Sequence, residues 1–167
     1  MKPATLLRLI IRPTLSELTR YDTKPGLTNP EAELLMVAIA IQESGIRYRR
    51  QINGPARSFW QIEPPTYHDT LLRYTPLQVF ADNIDLGMST PIDASYALRY
   101  NDALGCACAR GILRLNPKPL PAIGDEAEAW KYYLENWHPG KPRPDEWALS
   151  YWKAYDSAGH IAIRKRT

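Results

Sequence analysis

The chain has 167 residues, 44% of them hydrophobic and 23% charged, with a net charge of +3 at pH 7; these values fit one globular domain over residues 1–167 and exclude a disordered chain. Nine glycines and two cysteines give no support to a collagen-like or disulfide-rich class, and the longest apolar run, the eight residues from Leu34 to Ile41, is far short of the roughly 18 that a membrane span requires. The charge surplus is too small for a nucleic-acid footprint, and no nucleic-acid motif accompanies it.

At the start, Arg8 and Arg12 interrupt the apolar pieces and Pro13 follows before any small-residue cleavage site, so no signal peptide is expected; two cysteines one residue apart, too close for an ordinary bridge, fit synthesis in a reducing cytoplasm. A helix is predicted from about Thr5 to Arg20, bent or broken where Pro13 removes a backbone donor. After the loop at Lys24-Pro25-Gly26, Asn29-Pro30 reads as an N-cap followed by proline at the first helical position, and Thr28 with Glu31 offers an alternative capping box. The helix it opens is apolar on every side from Ala32 to Ile41, which requires a central, wholly packed position. Glu43 and Ser44 close it, and Gly45 is placed as the left-handed residue after its end. Asn53-Gly54-Pro55 is a turn, and Arg57 to Ile62 is a short strand or tight loop, the one candidate for a small hairpin. Thr66 to Tyr74 and Leu77 to Leu86 read as short helices. A longer one is expected from Thr90-Pro91 and Asp93 to about Leu115. Asp125 to Trp137 carries Ala127, Trp130, Leu134 and Trp137 at helical spacing, and Asp145 to Tyr155 repeats the pattern with Ala148, Tyr151, Trp152 and Tyr155. The fold class is mostly α, with a central buried helix and at most a small β-hairpin.

Glu43 is the residue that asks for a chemical explanation. A carboxyl at the end of a buried apolar helix is disfavoured in its charged form by desolvation and by the partial negative charge of the helix C-terminus, so its pKa should be pushed up. A carboxylic acid kept protonated near neutral pH is what general acid catalysis of glycosidic cleavage requires. The plainer reading is a surface carboxylate paired with Arg47 or Arg50. Arg47, Arg49, Arg50 and Arg57 together suit either an anionic polymer or a solvated charged face. Cys106 and Cys108 read as small buried hydrophobes. The histidines at 68, 138 and 160 have no metal-ligand spacing, and there is no Gly-rich phosphate loop.

Ile41-Gln42-Glu43-Ser44-Gly45, followed by Gly54-Pro55-Ala56-Arg57-Ser58-Phe59-Trp60-Gln61-Ile62-Glu63-Pro64-Pro65-Thr66, resembles the core of the lysozyme-like lytic transglycosylases. In that family a catalytic Glu at a helix end is followed by Ser and then by a Gly-Leu-Met-Gln-Ile-Met-Pro-x-Thr type segment. The wording here is similar to a version in bacteriophage and prophage proteins. The resemblance spans about Glu31 to His68 and implies a lysozyme-like fold that cleaves the β-1,4 link between N-acetylmuramic acid and N-acetylglucosamine, with Glu43 as acid and base and with neither a metal nor an organic cofactor. It implies that Gln61 binds the substrate or fixes the loop, that Ser44 bonds the acid or a sugar, and that Tyr100, in a possible Tyr-Asn motif with Asn101, bonds the catalytic carboxyl. Trp60 and Tyr67 are candidates for stacking on sugar rings. Where the family has glycine before the apolar pair, this chain has Ser58. The partners implied are peptidoglycan glycan strands and, in a phage setting, other virion proteins, with the protein made in the host cytoplasm and then placed in the virion or at the cell wall. Glu63, Asp69 and Asp85 are the second carboxylates a muramidase would need. A virion protein that binds glycan without cutting it is the remaining alternative.

Overall fold

The computed structural model describes residues 1–84 and 97–159, and these are mostly helical, with no strand formed among them. The N-terminal helical run comprises α1 (Pro3–Leu6), a π-helical segment (Leu7–Ile11) and α2 (Arg12–Leu18). Pro13 therefore does not break the helix. Its missing N–H and its ring clash are accommodated by widened turns just before it. Further on come α3 (Pro30–Ser44), α4 (Pro64–Arg73), α5 (Thr75–Asn83), α6 (Asp102–Leu115), α7 (Glu126–Trp137) and α8 (Pro144–Ser157).

Helix α3 forms where the sequence predicts it. The Asn29 side chain accepts the Ala32 amide at 3.0 Å, Pro30 occupies the first turn, and Glu31 and Glu33 lie at the positive end of the dipole. Ala32 and all seven residues from Leu34 to Ala40 are buried, so the helix has no wet face over that length. It packs most extensively against α8. One continuous core cluster extends from Leu6 to Tyr155 and takes in Cys106 and Cys108, which are free, fully buried thiols.

Two expectations change. The predicted long helix to Leu115 is interrupted at Asn101, whose extended backbone and side chain, accepting the Leu104 amide at 2.9 Å, make it the N-cap of α6. Its expected start at Thr90, together with Asp85 and Leu86, lies outside the described residues. The possible hairpin at Arg57–Ile62 is reduced to isolated antiparallel bridges, Arg50 with Arg57 and Arg57 with Ile62. Ser58 and Gln61, at φ 67° and 48°, turn the backbone too tightly between them for a ladder.

The segment before α3 is tied down from α6. Arg110, only 2% exposed, donates to the carbonyls of Leu27 and Gly26. Asp22 accepts from Arg114 at 3.0 Å and from the Tyr74 hydroxyl at 2.7 Å. A buried guanidinium survives here because backbone carbonyls replace its water.

Candidate active site

A groove of about 1370 Å³ runs past the C-terminal end of α3, with walls that include Glu43, Gln61, Glu63, Asp69, Tyr133 and Arg143. Gly45, in the left-handed conformation at φ 60°, stops α3 one turn after its last apolar residues, so the half-buried Glu43 side chain emerges at the groove instead of continuing into the core. Its Oε1 accepts a short hydrogen bond of 2.5 Å from the Tyr133 hydroxyl, ninety residues away in sequence. Burial pushes the Glu43 carboxyl above the ordinary range, while the Tyr133 hydroxyl and the charge of Arg143 pull against that shift without cancelling it. Burial and the facing carboxylate also push the Tyr133 phenol upward, so it is a donor at any working pH. The expected direction for Glu43 therefore holds. The surface pairing with Arg47 or Arg50 does not form, the carboxyl's partner being Tyr133.

Tyr133 belongs to a packed aromatic wall. Its ring lies 5.1 Å from that of Trp147, 5.3 Å from Trp130 and 6.4 Å from Trp137, centroid to centroid. Such a wall fixes the phenol's position and lowers the dielectric around the acid. On the other side, Gln42 is locked to α8. Its side-chain amide donates to the Arg143 carbonyl at 3.0 Å, its Oε1 accepts from the Ser150 hydroxyl at 3.0 Å, and its main-chain carbonyl accepts from the Arg143 guanidinium.

The loop after Gly54 is fastened to α3 by Ser44. The hydroxyl donates to the Phe59 carbonyl at 2.7 Å, contacts the Ala40 carbonyl at 3.0 Å and accepts the Ile46 amide at 3.2 Å. Ser44 is thus a buried tie between helix and loop and touches neither the acid nor the groove, contrary to the expected contact with carboxyl or sugar. Gln61 does reach the groove. Its amide nitrogen donates to the Ser58 carbonyl at 2.7 Å and the Tyr48 carbonyl at 3.3 Å, so the loop-fixing role is filled and the side-chain carbonyl is left for a ligand. Ser58 takes the positive φ that glycine adopts freely, and its Oγ accepts the Trp60 amide at 3.2 Å.

Three aromatic expectations need correction. Trp60 is completely buried and donates from its indole to the Met36 carbonyl at 2.9 Å, so no ring face is free for a sugar. Tyr67 is core, 4% exposed and outside the groove lining. Tyr100 is 71% exposed and is not part of the groove wall; the hydroxyl on the acid is that of Tyr133. Sequence reading missed Tyr133, although it sits three residues after Trp130 and four before Trp137, on the face their spacing defines. The arginine group also divides. Arg49 pairs with Asp102 at 2.6 Å and covers the Phe59 ring at 4.2 Å, and Arg57 donates to the Gly54 and Ala56 carbonyls.

Of the candidate second carboxylates, Glu63 and Asp69 line the groove, and Asp69 is paired with Arg73 at 3.0 Å. No described helix is long and apolar enough to cross a membrane. Comparison with known proteins gives no match: no family, no curated protein and no solved structure is significantly similar to the chain.

Proposed function

We propose that the protein is a peptidoglycan lytic transglycosylase with a lysozyme-like fold, of the phage-encoded kind, made in the host cytoplasm and acting at the cell wall. The observation that carries this reading is the Glu43 carboxyl, delivered into an open groove by a helix that is buried from Leu34 to Ala40, held by Tyr133 and pushed toward its protonated form. The resemblance of Ile41–Gly45 and Gly54–Thr66 to the family adds the substrate class.

In this mechanism Glu43 protonates the glycosidic oxygen as its bond to the muramic acid anomeric carbon breaks, leaving an oxocarbenium-like centre. The resulting carboxylate takes the proton of that sugar's C6 hydroxyl, whose oxygen attacks the anomeric carbon and closes a 1,6-anhydro ring. Protons balance, Glu43 returns to its acid form and no water is consumed. The nucleophile is tethered to the reacting centre, an entropic advantage over a free one. Gln61 positions the substrate through its side-chain carbonyl. Tyr133 orients the carboxyl and eases its ionised state.

A muramidase is the second reading, because Glu63 and Asp69 share the groove with Glu43 and a hydrolase needs a second carboxylate to activate water or stabilise the cation. Mass spectrometry of digested muropeptides separates the two. Anhydro ends, lighter by one water and inert to borohydride, support the transglycosylase; reducible muramic ends move the protein to the hydrolases. Glu43→Gln should lower cleavage by about two to four orders of magnitude with the fold intact. Absence of products from the parent, with glycan binding retained, would assign it a structural role in the virion.

A further inference from the structure

We propose that Arg143 is a positioning residue for the acid: it clamps the last turn of α3 to the start of α8 and holds a fixed positive charge in the groove wall next to Glu43. This rests on Glu43 being the proton donor and adds the residue that controls it. The clamp is reciprocal. The Arg143 guanidinium donates to the Gln42 carbonyl while the Gln42 amide donates to the Arg143 carbonyl, and Ser150 of α8 holds the other end of that amide. The residue next to Glu43 and the residue that opens α8 are thereby fixed by three hydrogen bonds. The guanidinium makes its ion pair with Glu146 at 2.9 Å, so it acts on Glu43 through space and not as a direct salt bridge.

The arrangement matches what an acid that must act twice requires. Burial alone favours the protonated form, which is right for donation but makes the carboxylate left behind expensive. A direct ion pair would have the opposite fault, locking the group ionised. A cation one step removed lowers the free energy of the carboxylate while leaving the acid form populated. Other groups lining the groove with Glu43 and Arg143 are Tyr133 of α7 and His138 and Lys141 of the loop before Arg143; Glu146 of α8 is Arg143's own ion-pair partner. The same groove is lined by Glu63, by the Asp69–Arg73 pair, and by Lys118 and Glu135, which pair at 2.8 Å. Of these, Tyr133 is hydrogen-bonded to the Glu43 carboxyl, and the Arg143 charge favours the carboxyl's ionised form.

The test is a carbon-13 titration of the Glu43 carboxyl in the full chain, assigned with Glu43→Gln, alongside the pH profile of kcat/KM on peptidoglycan. Arg143→Gln keeps an amide for the Gln42 carbonyl and removes the charge, and Arg143→Lys keeps the charge. The charge role predicts that Arg143→Gln raises the carboxyl midpoint by roughly 0.5 to 1 pH unit and moves the alkaline limb of the profile up with it, and that Arg143→Lys restores both. A merely structural role has the opposite sign: loosening the end of α3 admits water and lets the midpoint fall toward the ordinary range. A fall, or no change, overturns the proposal. Should the parent leave peptidoglycan uncut, the transglycosylase reading fails while the carboxyl titration still decides the role of Arg143.

Discussion

Gly105 in α6 is the point where that helix meets the loop carrying Gln61. A Cβ built there would lie 2.7 Å from the Ser58 Cβ, 3.2 Å from its Oγ and 3.7 Å from the Trp60 ring. Neither neighbour can retreat easily. Ser58 is completely buried, sits at a positive φ and holds the Trp60 amide, and Trp60 is itself fully enclosed. For Gly105→Ala, a mid-helix alanine gains about 1 kcal/mol in intrinsic helix propensity, against roughly 1–3 kcal/mol for forcing a methyl into a closed contact. The net expectation is a loss of about 1 kcal/mol, or a fall in Tm of roughly 2–4 °C for a domain of this size. The loop moves with it, so kcat/KM should drop more than stability alone would explain. Ser58→Gly removes the facing Cβ and suits the backbone angle; combined with Gly105→Ala it should recover the lost stability, giving a coupling energy of about 1 kcal/mol or more in a double-mutant cycle by thermal and urea unfolding. A Gly105→Ala variant that is more stable than the parent, or a cycle with no coupling, would refute the close packing of α6 on this loop.

Tyr133→Phe removes the hydroxyl that favours the Glu43 carboxylate; at about 1.4 kcal/mol for such a bond, the alkaline limb of the pH profile should move up by about one unit, and an unmoved limb would show that the bond does not tune the acid. Glu43→Gln should also change stability with pH. Because the native carboxyl titrates above its unfolded value, stability present below the ordinary Glu range is lost as pH rises through the native pKa, so the variant should match the parent in Tm near pH 3 and exceed it at pH 8. Asp22 has the opposite sign: burial would raise its carboxyl, but hydrogen bonds from Arg114, Tyr74 and the Lys24 amide outweigh that and hold it low. Its contribution is therefore present above the ordinary Asp range and lost as pH falls through the lowered native pKa. Asp22→Asn should cost roughly 3 kcal/mol near neutral pH in urea unfolding, with the difference shrinking in acid.

The central helix could be read from the chain because its cues are local: an Asn-Pro start, no polar face, and Ser-Gly at the end. Glu43 was visible for the same reason, as the charge left over where an apolar helix stops. Tyr133 was not. A tyrosine among Trp130, Leu134 and Trp137 looks like core packing, and it is; only the tertiary approach of α7 to α3 turns its hydroxyl into the partner of an acid ninety residues earlier. Trp60 and Tyr67 failed as sugar platforms for a related reason, since nothing in residue type separates an aromatic that fills the core from one that faces a ligand. Ser58 shows a third case. Glycine is the free choice for a positive φ, and the serine there accepts strain in exchange for a hydroxyl that satisfies the Trp60 amide, a balance that depends on burial and is invisible in spacing.

Helix α3 leans chiefly on α8, which the ribosome makes about a hundred residues later. At about 5–20 residues per second, the apolar segment of α3 emerges on the order of ten seconds before its cover exists. During that interval it is the stretch most exposed to premature association, and no favourable amphipathic surface can shelter it. The Gln42–Arg143 clamp closes only when α8 docks, so the end of α3 that carries Glu43 is fixed only from that point on. A nascent or truncated chain would thus carry Glu43 without the packing that raises its pKa, and the protonation behaviour of that carboxyl would be tied to the arrival of α8.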